Sequence, residues 1–166
     1  TLSSSSAASD VYKRQLFFIL LFASAGIAAE PKAVSGSVAP DTVWSGDVAV
    51  AGPVSVPAGV TLTIAAGAKV RFAAEASLEV SGRLLVQGTS EKPVEFASQN
   101  SAPFILRFFH ADQPCEVRHL AFRGGRIEAL ESRILFADVA VEGGEGFSFL
   151  NGGQCVMERC RVSGVK

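Results

Sequence analysis

Acid–base or metal chemistry needs titratable side chains that converge on one point. The densest such stretch is His110, Asp112, Glu116, His119 and Asp138. His110 and Asp112 stand two residues apart, which places both on one side of an extended segment. A solvated turn is the simpler account of that pair. Beyond the first 15 residues the aspartates are Asp41, Asp47, Asp112 and Asp138, and no two are adjacent. No catalytic residue is assigned. The three cysteines, Cys115, Cys155 and Cys160, do not stand at zinc-ligand spacing from either histidine, so no metal site is expected. Gly124-Gly125, Gly143-Gly144 and Gly152-Gly153 lack the strand–loop–helix setting of a phosphate cradle. They read as turns, as does Asn151, and no cofactor is expected.

Aromatic side chains are the other source of binding chemistry, because sugar rings stack on exposed rings. Trp44 is the only tryptophan, and its expected role is to plug the N-terminal end of the fold, with ligand stacking as the alternative. One ring of the Phe108-Phe109 pair must point outward from an extended strand. A lateral loop is expected to cover it, with a carbohydrate groove as the alternative. The candidate binding set is therefore Trp44, Phe108, Phe109, His110 and Asp112. Phe104, Phe122, Phe136, Phe147 and Phe149 read as core.

These residues sit on a repeating pattern. From Val54 the chain reads VSVPAGVTLTIAAGAKVRF, three runs of period-two alternation broken by Pro and Gly. Such runs are half-buried strands. Leu78, Val80, Leu84 and Val86 continue the pattern, and Val94 and Phe96 follow a polar QGTSEKP loop. Leu62 to Leu84 gives a 22-residue offset and Phe72 to Phe96 one of 24. Further on, Val117-x-x-Leu120-x-Phe122-x-Gly124 is followed by Phe136-x-x-Val139-x-Val141-x-Gly143 and by Met157-x-x-Cys160-x-Val162-x-Gly164. The offsets there are 19 and 21. A repeat near 20 residues is a solenoid, in which each unit buries its apolar row against the next.

Turns this tight leave no room for helical crossovers, so the expected fold is all-β: a parallel β-helix of about five rungs over residues 42–166. Its strands stack about 4.8 Å apart. The register puts His119, Asp138 and Arg159 at one position of successive rungs, and Arg123 beside Glu142. Cys115 and Cys155 fall two rungs apart, roughly 9–10 Å, beyond disulfide reach. Cys160 takes an inward position, and all three thiols are expected free and mostly buried.

The stretch DTVWSGDVAVAGPVSVPAGVTLTIAAGAKVRF resembles the N-terminal part of right-handed parallel β-helix proteins of the pectate-lyase-like superfamily, many of them secreted bacterial repeat proteins. The resemblance covers residues 41–166. It implies a right-handed coil and a setting among adhesins, binders and polysaccharide-degrading enzymes. None of the acidic clusters those enzymes use is carried by a residue of this chain.

Residues 5–15, SSAASDVYKRQ, resemble an in-frame translation of a sequencing-library adapter, so residues 1–15 are set apart from the fold. Residues 16–29 contain the run LFFILLFASAGIAA, too short for a membrane span and ending in small residues. It reads as a truncated signal peptide, with residues 30–41 a linker into the solenoid. The chain is expected to be a fragment, incomplete at its C-terminus. Setting aside Asp10, Lys13 and Arg14, it carries 13 basic and 15 acidic side chains, a net charge near −2. That excludes a basic footprint for nucleic acid.

The expectation is an exported monomer, periplasmic, on the outer surface or extracellular, and a scaffold facing polysaccharide or the cell envelope. The alternatives are the non-catalytic N-terminal part of a polysaccharide lyase or hydrolase, and an adhesin or autotransporter-type stalk.

Overall fold

A computed structural model describes residues 31–150 and 152–165. The adapter-like segment, the signal-like segment and Asn151 lie outside those residues. Alternating apolar and polar residues produce 17 short strands and no helix among the described residues. Strand β1 (Lys32–Ser37) comes first, within the segment expected to be a linker. The first rung is β2 (Thr42–Trp44) and β3 (Asp47–Val56). The second is β4 (Thr61–Ile64), β5 (Lys69–Phe72) and β6 (Ser77–Val80). The third is β7 (Arg83–Gln87), β8 (Val94–Ser98) and β9 (Ile105–Phe109). The fourth is β10 (Cys115–Arg118), β11 (Leu120–Arg123) and β12 (Arg126–Leu130). The fifth is β13 (Arg133–Ala137), β14 (Ala140–Glu142) and β15 (Gly146–Leu150). Strands β16 (Gln154–Glu158) and β17 (Arg161–Ser163) begin a sixth.

Every strand pairing among the described residues is parallel, and each strand pairs with its counterparts one rung away, so the chain is a parallel β-solenoid. The first face stacks β2, β4, β7, β10, β13 and β16. The second runs from the N-terminal half of β3 through β5, β8, β11, β14 and β17. The third runs from the C-terminal half of β3 through β6, β9, β12 and β15. Strand β3 joins the last two faces, pairing β5 through Asp47–Val50 and β6 through Val54–Val56. Strand β1 covers the free edge of β3. The first rung thus begins at Thr42, as expected, and Val54, where the repeat becomes visible, lies in the second half of that same rung.

The register follows the expected spacing in the second half: Val117 pairs Phe136 and Phe136 pairs Met157. Leu62 pairs Leu84, as its 22-residue offset predicts. The Phe72–Phe96 alignment does not hold. Phe96 pairs Val70, and Phe72 pairs Ser98. The physical cause is the QGTSEKP loop, which hydrogen-bonds within itself and to the rung below. The Lys92 carbonyl accepts from Thr89 N at 3.1 Å and from Gly67 N at 3.0 Å. Such a loop lengthens the rung without moving the strand register. It raises the offset from 22 residues to 26 at β8, and the loops before β9 and β10 raise it further, to 28 and then to 31 between Leu85 and Glu116.

Inward positions form one continuous core from Trp44 to Val141. Phe72 stacks on Phe104 with centroids 4.1 Å apart, and Phe104 meets Phe122 at 4.9 Å. Burying each such side chain contributes roughly 1.5–3 kcal/mol. Two expected core residues differ. Phe147 is half-buried, and Phe149 is 47 % exposed although it shares a register with buried Phe108 and Ala129. The reason is that β15 ends the third face, with no strand stacked beyond it among the described residues. At Gly82 a Cβ would collide with the Pro57 and Val60 carbonyl oxygens, so the chain passes there only without a side chain.

Candidate functional site on the third face

The sequence ILRFF in β9 alternates, so Leu106 and Phe108 enter the core while Arg107 and Phe109 point out. Strand β12 repeats the phase with Glu128 and Leu130, and β15 with Ser148 and Leu150. Parallel register then stacks Phe109, Leu130 and Leu150 in one outward ladder. Phe109 is 39 % and Leu150 53 % exposed. Beside this apolar ladder runs a charged one of Glu79, Arg107 and Glu128. Together they line a groove of about 450 Å³.

The charges are tightly coupled. Arg107 Nε donates to Glu128 Oε2 at 2.7 Å, and its Nη1 lies 3.7 Å from Glu79. That hydrogen bond to Glu128 is the main cause of the raised pKa of Arg107, with burial acting against it. Arg126 extends the network: its Nε lies 2.9 Å from Glu128, and its Nη1 donates to Glu145 at 2.8 Å. Glu128, only 16 % exposed in its side chain, is the hub.

The groove ends at a corner where His110 and Glu131 occupy equivalent places with left-handed φ of 48° and 44°. His110 Nδ1 lies 3.0 Å from Glu131 Oε2, and the Phe109 and His110 rings meet edge-to-face at 4.4 Å. Buried Ser132 fixes this corner by accepting from Ala111 N and donating to the Leu130 carbonyl.

The candidate residues separate on this frame. Phe109 and His110 share the groove corner. Trp44 is 2 % exposed inside the first rung and Phe108 is fully buried, so neither offers a ring face to a ligand. Trp44 is the last residue of β2, buried in the first rung at the N-terminal end of the solenoid. Among the described residues no loop covers Phe109, contrary to expectation, because His110 turns the corner directly after it. Asp112 is a turn staple: its Oδ2 accepts from Gly59 N at 2.8 Å, and its own N–H donates to Ser81 O. It is held away from His110, whose carboxylate neighbour is Glu131.

The rest of the acidic and histidine stretch divides similarly. Glu116 faces Arg118 on its own strand. His119, Asp138 and Arg159 stack as expected, with Arg159 gripping both oxygens of Asp138 at 2.6 and 2.7 Å. His119 Nε2 is 3.7 Å from Asp138. Arg123 donates to Glu142 at 3.0 Å, also as expected. A second groove of about 550 Å³ lies at that corner, lined by Asp138, Arg159, Cys160 and Arg161. Its central charges are spent on each other.

All three thiols are free. Cys115 is buried, accepts from Leu84 N at 3.3 Å, and has its pKa pushed up to about 11 by burial. Cys155 and Cys160 are only half-buried, because β16 is the last strand of its face.

Leu130, Leu150, Glu79, Arg107, Glu128 and Glu131 escaped the sequence reading. The signal was present: Phe109 to Leu130 is 21 residues and Leu130 to Leu150 is 20. Carrying the repeat spacing onto outward positions finds the ladder. Comparison with family models, with curated proteins and with solved structures gives no match.

Proposed function

We propose that this chain is an exported scaffold of the right-handed, pectate-lyase-like β-helix kind, whose third face docks polysaccharide at the cell envelope or outside the cell. The observation that carries the reading is the outward Phe109 ring, heading an apolar ladder beside a hydrogen-bonding charged ladder. Sugars present one apolar face and a rim of hydroxyls, and a groove with an aromatic platform and flanking carboxylates matches both. The parallel stack supports a lateral presenting role, since every rung repeats the same outward geometry. Export is supported by the apolar run at residues 16–29 and its small-residue end.

The test is retention of the full chain on a panel of insoluble polysaccharides, with F109A alongside. At least one polysaccharide retains the parent, and F109A weakens that retention about tenfold, or ~1.4 kcal/mol, with its melting temperature unchanged. Equal retention of F109A, or no retention of the parent by any member, removes the proposal.

A further inference from the structure

We infer that the polysaccharide suited to this face is cationic, an amino-sugar polymer rather than one rich in uronate or sulfate. This rests on the carbohydrate reading above and adds the charge of the ligand. The third face and its two corners carry Glu75, Glu79, Glu128, Glu131 and Glu145 against Arg107 and Arg126, with His110 beside Glu131. Both guanidiniums already face carboxylates. Arg107 donates through Nε to Glu128 and holds Glu79 at 3.7 Å, and Arg126 donates through Nη1 to Glu145 while its buried Nε, 2.9 Å from Glu128, makes no hydrogen bond. A ligand carboxylate or sulfate would have to compete with Glu128 and Glu145 for a bidentate grip on either.

Carboxylate capacity, by contrast, is left over. Glu75 has no ion pair among the described residues, and Glu131 is paired only with His110. Glu79 holds its guanidinium at a loose 3.7 Å. Glu79 lines the groove with Phe109 and Leu150, and Glu131 directly follows Leu130 of the ladder. The ladder spans three rungs, about 10 Å at ~4.8 Å per rung, room for two sugar rings on the apolar strip. Amino groups on the ring edges then face Glu79 on one side and Glu131 on the other. A uronate or sulfated chain in the same place meets an excess of like charge, which discriminates against it without any further contact.

The experiment measures affinity of the full chain for three soluble hexamers: glucosamine, N-acetylglucosamine and galacturonate. The glucosamine hexamer binds about tenfold more tightly than its acetylated counterpart. That binding weakens several-fold at roughly 0.5 M salt, where charge is screened within a few ångströms. The galacturonate hexamer does not bind. The double variant E79Q/E131Q loses the preference for the free amine while keeping affinity for the acetylated hexamer. F109A loses affinity for both. Acetylated or galacturonate hexamer binding as tightly as glucosamine overturns the charge assignment and leaves the carbohydrate reading standing. No binding of any hexamer removes both. Glucosamine binding that survives F109A is diffuse attraction to an acidic surface and also overturns the inference.

Discussion

His119, Asp138 and Arg159 turn the backbone at the same corner of successive rungs, with φ of 47°, 57° and 52°. Left-handed backbone costs a residue with a Cβ roughly 1 kcal/mol or more, so the corner needs compensation. Cross-rung charge supplies part of it. Asp138 accepts both Arg159 bonds and faces His119, and the hydrogen bond from Arg159 is the main reason its carboxyl sits below its ordinary range. A lowered carboxyl pKa in the fold gives stability that is present above the unfolded pKa of about 3.9 and lost as pH falls through the folded value. The variant D138N should therefore melt below the parent at pH 7, and the two should converge as pH drops below about 3.9. A constant gap at every pH would show that the ion pair contributes nothing. Side-chain phase was also legible at this scale, but only in part. Alternation dictates that one of Phe108 and Phe109 points outward. Which one depends on the strand's phase relative to the core, and that phase comes from the neighbouring rung, through Ala129 and Val80. Trp44 was a candidate because tryptophan suits sugars, yet its place inside β2 spends its whole surface on packing.

Strands were readable because alternation is a local property. Register was readable where turns kept a constant length, as at Val117, Phe136 and Met157. It failed in the third rung, where loops of variable length intervene and carry no period. Phe104 shows what such a loop can do. It lies outside any strand, is fully buried, and stacks on Phe72 with planes 8° apart. It also presses against Gly125, where a Cβ would meet its ring at 2.8 Å. The loop thus places a ring where a strand residue would otherwise close the core. Phe104→Ala should cost about 3–5 kcal/mol in urea unfolding, the range for a fully buried phenylalanine. A loss below about 1 kcal/mol would mean that the neighbouring rings collapse into the space and the loop is packing ballast. The binding ladder was missed for a related reason. Outward positions have no burial signal, so Leu130 and Leu150 read as ordinary strand residues until the register aligns them with Phe109.

In a solenoid each rung touches only its neighbours, so stability is distributed along one dimension. Among the described residues, strands β5, β8, β10 and β11 have partners on both sides, while β15, β16 and β17 have one. Side chains that point inward show that asymmetry: Phe149, Met157 and Val162 align with buried Ala129, Phe136 and Val141 yet are exposed on β15, β16 and β17. Opening these strands loses few buried contacts and frees only one ladder of hydrogen bonds, so it requires far less than global unfolding. Native-state hydrogen exchange should show this as a gradient. Amides of β8 and β11 exchange only with global unfolding, whereas those of β16 and β17 exchange at least about a hundredfold faster. The Phe109 rung lies inside the protected block, so the proposed groove is held rigid at its aromatic end and is softer at Leu150. Glycan binding across the ladder would then slow exchange in β15 more than in β9. Uniform protection from β4 to β17 would mean that the rungs unfold as one unit and that the nearest-neighbour account of this solenoid is wrong.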